Sequence, residues 1–118
     1  NWTLALQHFD AADRMDVLRP DPDFSAALLG ERSSVKTALG AAPEAMADLM
    51  QALALGRSAR NFFRRGTLYM DLEQYSNAVA DFDQVFVLDP HFSELEEWRS
   101  RARRWMTRPP VQDHYAVL

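Results

Sequence analysis

The sequence contains no cysteine, which excludes disulfides, thiolate nucleophiles and any cysteine-based zinc site. Its four glycines, at positions 30, 40, 56 and 66, are too scattered to form a phosphate-cradling loop. The three histidines, His8, His91 and His114, lie far apart. None has a second histidine four residues on, the spacing that puts two metal ligands on one helix face. There is no G-x-S-x-G nucleophile elbow, and no run approaches the roughly 20 apolar residues of a membrane helix. Carboxylates are plentiful, but Asp81/Asp83 and Glu94/Glu96/Glu97 read as solvated helix faces, and nothing selects a catalytic pair among them. No catalytic residue, metal site or cofactor is therefore expected. The chain opens on Asn1 without a signal-peptide pattern, which reads as a piece of something longer. The absence of cysteine and of a leader suits a cytoplasmic setting.

What is present is the composition of one soluble domain. The chain has 118 residues, 47% hydrophobic and 25% charged, enough for one compact domain and too few for two ordinary ones. The net charge of −4 argues against a general nucleic-acid binder. The arginines fall in two patches with acids interleaved, which points the same way.

The apolar periodicity is helical almost throughout. Leu4, Ala5, Phe9, Ala12 and Met15 mark one face of a helix over Trp2–Leu18, stopped by Pro20 and Pro22. Asp23 is a candidate N-cap for the next helix, with Leu28, Leu29, Val35 and Leu39 on its inner face and Gly40 closing it. Pro43 and Glu44 open a helix that runs to about Leu55. Further helices are expected over Ala59–Leu72 and Ser76–Leu88, the latter ended by Pro90. Ser93-Glu94-Leu95-Glu96 reads as a capping box for a last helix. Its arginines Arg99, Arg101, Arg103 and Arg104 suit the negative end of the helix dipole, and Pro109 and Pro110 terminate it.

These helices repeat. Ala78, Phe82 and Val85 follow Ala45, Leu49 and Ala52 at a period of 33 residues, and Ala5, Phe9 and Ala12 form a more distant copy. In each, a small residue lets a partner helix approach and the large one fills the space beside it. A period in this range marks stacked helix pairs, although periodicity by itself also suits a helical bundle.

With Ala59 as first position, Phe62, Gly66, Tyr69, Ala78, Phe82 and Pro90 fall at the offsets of a tetratricopeptide repeat, and the chain resembles that family over residues 59–92. Arg65 departs from it, standing where Leu is usual. Residues 26–58 resemble a degenerate copy that keeps Leu29, Leu39-Gly40, Ala45, Leu49 and Ala52, with Ser33 in place of Gly and Lys36 in place of Tyr. Residues 1–18 look like a partial repeat and 93–107 like the capping helix of such an array. The resemblance implies an all-α right-handed superhelix of antiparallel helix pairs over residues 1–108. It implies a non-enzymatic protein-interaction module whose groove would present Arg60, Phe63, Arg64, Thr67, Met70 and Asp71 to a peptide or helix of a protein partner. Arg60 and Arg64 resemble half of the carboxylate clamp that holds acidic tails of Hsp70/Hsp90-type chaperones. Glu31, where that clamp has Asn, would repel an acid. A solvated basic face of Arg57, Arg60, Arg64 and Arg65, paired with Asp71 or Glu31, is the competing reading.

Residues 109–118 read as a linker or tail. Asp113 to Leu118 resembles the opening of a J domain, with His114 replacing the first aromatic. The order of parts is then that of a tetratricopeptide co-chaperone of Hsp70, in which the His-Pro-Asp motif would come later. A general scaffold with no chaperone link, or a helical regulatory segment of a larger enzyme, are the alternatives. No membrane partner is expected, and the oligomeric state stays open.

Overall fold

The computed structural model describes residues 2–7 and 21–107, and every element in them is helical. Residues 2–7 form helical turns. Then come α1 (Pro22–Ala38), α2 (Ala42–Leu55), α3 (Ala59–Asp71), α4 (Tyr75–Leu88) and α5 (Leu95–Met106). The remainder of the helix expected over Trp2–Leu18, and the tail 109–118, lie outside the described residues.

Local chemistry sets the ends. Asp21, not Asp23, caps α1: its carboxylate accepts hydrogen bonds from the amides of Asp23 and Phe24. Pro22 thus opens this helix at a position where its missing N–H costs nothing. Ser58 caps α3 through the Asn61 amide. The capping box expected at Ser93 is not formed, because α5 starts at Leu95 with Glu94 in the left-handed region as its cap residue.

Both α1 and α3 end in the same two-bond motif. After α1 the amides of Gly40 and Ala41 donate to the carbonyls of Thr37 and Lys36. After α3 the amides of Glu73 and Gln74 donate to Met70 and Tyr69. The residue that turns the chain needs positive φ, and it is Gly40 (φ 80°) in one case and Glu73 (φ 60°) in the other.

α1 and α2 pack antiparallel, as do α3 and α4, and α5 covers α4. The repeated triplet forms the inner wall of each pair: Ala45, Leu49 and Ala52 in α2 and Ala78, Phe82 and Val85 in α4 are all at most 1% exposed. Leu49 meets Leu68 of the next pair, so a small apolar cluster with Ala45 joins the two pairs. Phe82 lies under α3 with Phe62, and Leu95 and Ala102 close the far side. Phe63 extends this core towards α5, its ring centroid 4.9 Å from Phe92 and 6.3 Å from Trp98. Burial of each large side chain contributes about 1.5–3 kcal/mol. Leu39, expected inside, is exposed just past the end of α1.

Position 66 shows why Gly is needed. A Cβ there would lie 2.5 Å from the Phe82 ring. The equivalent position in the first pair is Ser33, which is buried against the smaller Leu49 and donates its hydroxyl to the Gly30 carbonyl at 2.6 Å. The Ser-for-Gly departure and the Leu-for-Phe departure thus offset each other in volume.

Each pair is also fastened by a buried carboxylate. Arg32 donates two hydrogen bonds of 2.9 Å to Asp48, and Lys36 adds a contact of 3.0 Å. Arg65 donates two of 2.8 Å to Asp81. Asp81 is 3% exposed, so it is not part of a solvated acidic face; that reading held for neither its burial nor its bonding.

Candidate peptide-binding groove

A polar groove runs between α1 and α3, and its walls follow from helix geometry. Residues 60, 64, 67 and 71 fall within about 60° of arc on α3, forming one stripe. Opposite them on α1, one repeat earlier, stand Ala27, Glu31 and Ser34. The stripe lines two depressions that meet at Arg64. The first, of about 290 Å³, is bounded by Asp23, Ala27, Glu31, Arg57, Arg60 and Arg64. The second, of about 170 Å³, is bounded by Ser34, Thr37, Arg64, Thr67 and Asp71 over a floor of Ser33, Leu49 and Leu68.

Asn61 holds the two walls together. It is 1% exposed, and its Nδ2 donates to the Ala26 carbonyl of α1 at 3.1 Å. Its Oδ1 accepts from Arg64 Nη1 at 2.8 Å. Gly30 makes this approach possible, since a Cβ there would lie 2.1 Å from Asn61 Oδ1 and 2.4 Å from the Arg64 guanidinium. Arg64 Nη2 then reaches Glu31 Oε1 at 2.8 Å. Both Arg64 bonds fix its guanidinium across the groove floor.

The six residues expected at the groove divide between two faces. Arg60, Arg64, Thr67 and Asp71 line it. Phe63 and Met70 are half-buried against the core formed with α4 and α5. The four arginines separate likewise. Arg64 pairs with Glu31 rather than Asp71. Arg60 carries its guanidinium 5.5 Å above the Phe92 ring. Arg57 donates to Gln84 and lies over Phe62. Arg65 belongs to the interior of its helix pair, where its hydrogen bonds to Asp81 outweigh burial and raise its pKa, keeping it charged.

The groove hydroxyls are turned inward as donors. Ser34 and Thr67 donate to the carbonyls of Gly30 and Arg64, and Thr37 donates to that of Ser33. Their free lone pairs, with the Asp71 carboxylate, make this end of the groove a surface of acceptors. The sequence offers Glu31 or Asp71 as the arginine partner, and it is Glu31 that Arg64 takes; Asn61 and the Arg32–Asp48 pair are not anticipated by it. The last was findable, because Arg and Asp recur at 32/48 and 65/81 with the same 33-residue period. Among the described residues no helix is long and apolar enough to cross a membrane, and no group of acids and histidines could hold a metal ion.

Comparison with known proteins agrees with this architecture. No protein-family model matches the chain. Over 77 residues, 64% of its length, the chain is 38% identical to human tetratricopeptide repeat protein 13, of which it spans 8%. The Arabidopsis OM64 TPR domain superposes with a TM-score of 0.76 at 23% identity, covering 87% of this chain and 81% of that one. The first TPR of Spaghetti (RPAP3), bound to the HSP90 peptide SRMEEVD, superposes with a TM-score of 0.78 at 22% identity, covering 91% and 81%. The stacked antiparallel helix pairs of this chain are therefore the fold of tetratricopeptide repeat domains.

Proposed function

We propose that this chain is a non-enzymatic protein-interaction module that binds an extended peptide of a partner protein in the groove between α1 and α3. The observation that carries the reading is the groove itself. Its floor is fixed by the Asn61–Arg64–Glu31 bonds, and its α3 wall is lined by side chains that do not serve the core. A domain of the same fold holds an acidic HSP90 peptide, which supports a chaperone tail as the ligand class. An acidic group entering beside Arg60 would gain charge-assisted hydrogen bonds there and compete with Glu31 for Arg64.

Titration of the peptide SRMEEVD against the whole chain tests this. Wild type binds, and Arg64→Ala weakens binding about tenfold or more, the loss expected for hydrogen bonds to a charged group. Equal affinity in the two proteins, or no binding to either, removes the carboxylate-holding role.

The setting within an Hsp70 co-chaperone is a further part of the proposal and rests on the resemblance of Asp113–Leu118 to a J-domain opening. A cytoplasmic location belongs to that setting. A His-Pro-Asp motif in coding sequence beyond Leu118 supports it. Its absence there leaves a general peptide-binding scaffold.

A further inference from the structure

The α3 helix carries its charges against its own dipole. Arg60 stands in its first turn, at the positive end, and Asp71 is its last residue, at the negative end. The other charged helices follow the dipole: α1 has Asp23 first and Lys36 last, and α5 has Glu96 and Glu97 first and Arg103 and Arg104 last. Among the described residues Arg60 and Asp71 have no ion-pair partner. Arg60 rests only on the face of Phe92, and Asp71 is exposed at the rim of the second depression. Two charges without an ion-pair partner among the described residues, each placed where its own helix disfavours it, mark the two ends of one groove.

The depressions themselves are polarised in the same sense. In the first, Asp23 and Glu31 offset two of the three guanidiniums of Arg57, Arg60 and Arg64, leaving one net positive charge. In the second, Arg64 is already neutralised by Glu31, so Asp71 and the outward lone pairs of Thr37 and Thr67 leave it negative. Eleven residues separate Arg60 from Asp71, roughly 16 Å along the helix. An extended peptide covers that span in about five residues.

The geometry points to a dipolar ligand: an extended peptide with an acidic side chain or carboxylate at the Arg60 end and a basic side chain about five residues away at Asp71. This rests on the peptide-binding reading and adds to it a charge register. Arg64, paired with Glu31, adds no net charge between the two poles, so the register is set by Arg60 and Asp71, and an acid held at Arg60 reaches Arg64 only by displacing Glu31.

An array of end-blocked alanine-based decapeptides tests it. Each carries one aspartate and one arginine at separations of one to eight residues, and the controls carry two aspartates or two arginines. Wild-type chain is expected to be retained best at separations of about five, about three- to tenfold above the two-aspartate control. The preference should shrink as salt is raised. In Asp71→Arg the order should invert, with the two-aspartate peptides retained best, while Asp71→Asn should lose the preference without inverting it. Circular dichroism confirms that both variants are folded. Retention that ignores the separation, or an unchanged order in Asp71→Arg, overturns the charge register and leaves peptide binding standing. Retention of no peptide, together with no binding of SRMEEVD, overturns both.

Discussion

Arg65 of α3 and Asp81 of α4 meet through two parallel hydrogen bonds of 2.8 Å, and 33 residues earlier Arg32 and Asp48 meet in the same way at 2.9 Å. The carboxylates are the buried partners, with side chains 5% and 6% exposed, while the guanidinium stems lie nearer the surface. The buried charge of Asp81 is returned its hydrogen bonds by Arg65, and that of Asp48 by Arg32 with Lys36 beside it. Removing Arg65 alone is therefore costly. Arg65→Leu should destabilise the chain by about 2–4 kcal/mol, because Asp81 is left without its partner. Arg65→Leu with Asp81→Leu should recover most of the loss. Urea denaturation of the two singles and the double gives the coupling, and simple additivity would contradict it.

Gly66 and Phe82 form a second coupled pair. With a Cβ 2.5 Å from the ring, Gly66→Ala should cost about 1–3 kcal/mol through overpacking. Adding Phe82→Leu should reduce that cost, since Ser33 and Leu49 already show that a larger residue and a Leu fit together at this register. A thermodynamic cycle on the four proteins reads the effect as a favourable interaction term. A zero term would mean that α3 simply moves away.

Glu73 and Gly40 occupy the same turn one repeat apart, both with positive φ. Glu73→Gly should stabilise the chain by up to about 1 kcal/mol, the left-handed strain relieved less the entropy that glycine adds to the unfolded chain. Gly40→Ala should destabilise by a similar amount. Nothing lies within 4 Å of a Cβ at Gly40, so the effect there is conformational and not steric. Thermal melts of both variants should move in opposite directions.

Asp71→Asn should raise stability by about 0.3–1 kcal/mol, because it removes a carboxylate from the negative end of α3. The same substitution should abolish the preference for a basic residue in the peptide array. A gain in melting temperature with a loss of binding selectivity separates a charge held for binding from one that supports the fold. A fall in melting temperature would assign Asp71 a structural role instead.

Gly30→Ala should weaken peptide binding more than its helix propensity explains. Alanine favours a helix interior by roughly 1 kcal/mol over glycine, but its Cβ would displace Asn61 and the Arg64 guanidinium from the α1 backbone. The expected result is lower stability together with a weakened Arg64–Glu31 pair. Titration of SRMEEVD against this variant and against Arg64→Ala compares the two losses, and undiminished binding by Gly30→Ala would place the ligand away from Arg64.

The sequence by itself determined that the chain folds into helices and where they break. Apolar spacing, Gly40, Pro43 and Pro90 act over a few residues, so their effects are local and readable. It also determined which residues form the inner wall, because Ala45/Leu49/Ala52 and Ala78/Phe82/Val85 repeat at the helix-pair period. Only the tertiary structure decided what the charges do. Asp81 and Glu94 carry the same formal charge and both stand among acids, yet one is buried under Arg65 and the other is exposed at the start of α5 with no capping bond from its side chain. Arg64 and Arg65 are neighbours in sequence, but 100° of helix rotation sends one to the groove and the other to the interior. Phe63 and Met70 face α5 for the same reason. A charge finds its partner through space, 16 or 33 residues away along the chain, and composition and spacing carry no record of that distance until the helices are packed.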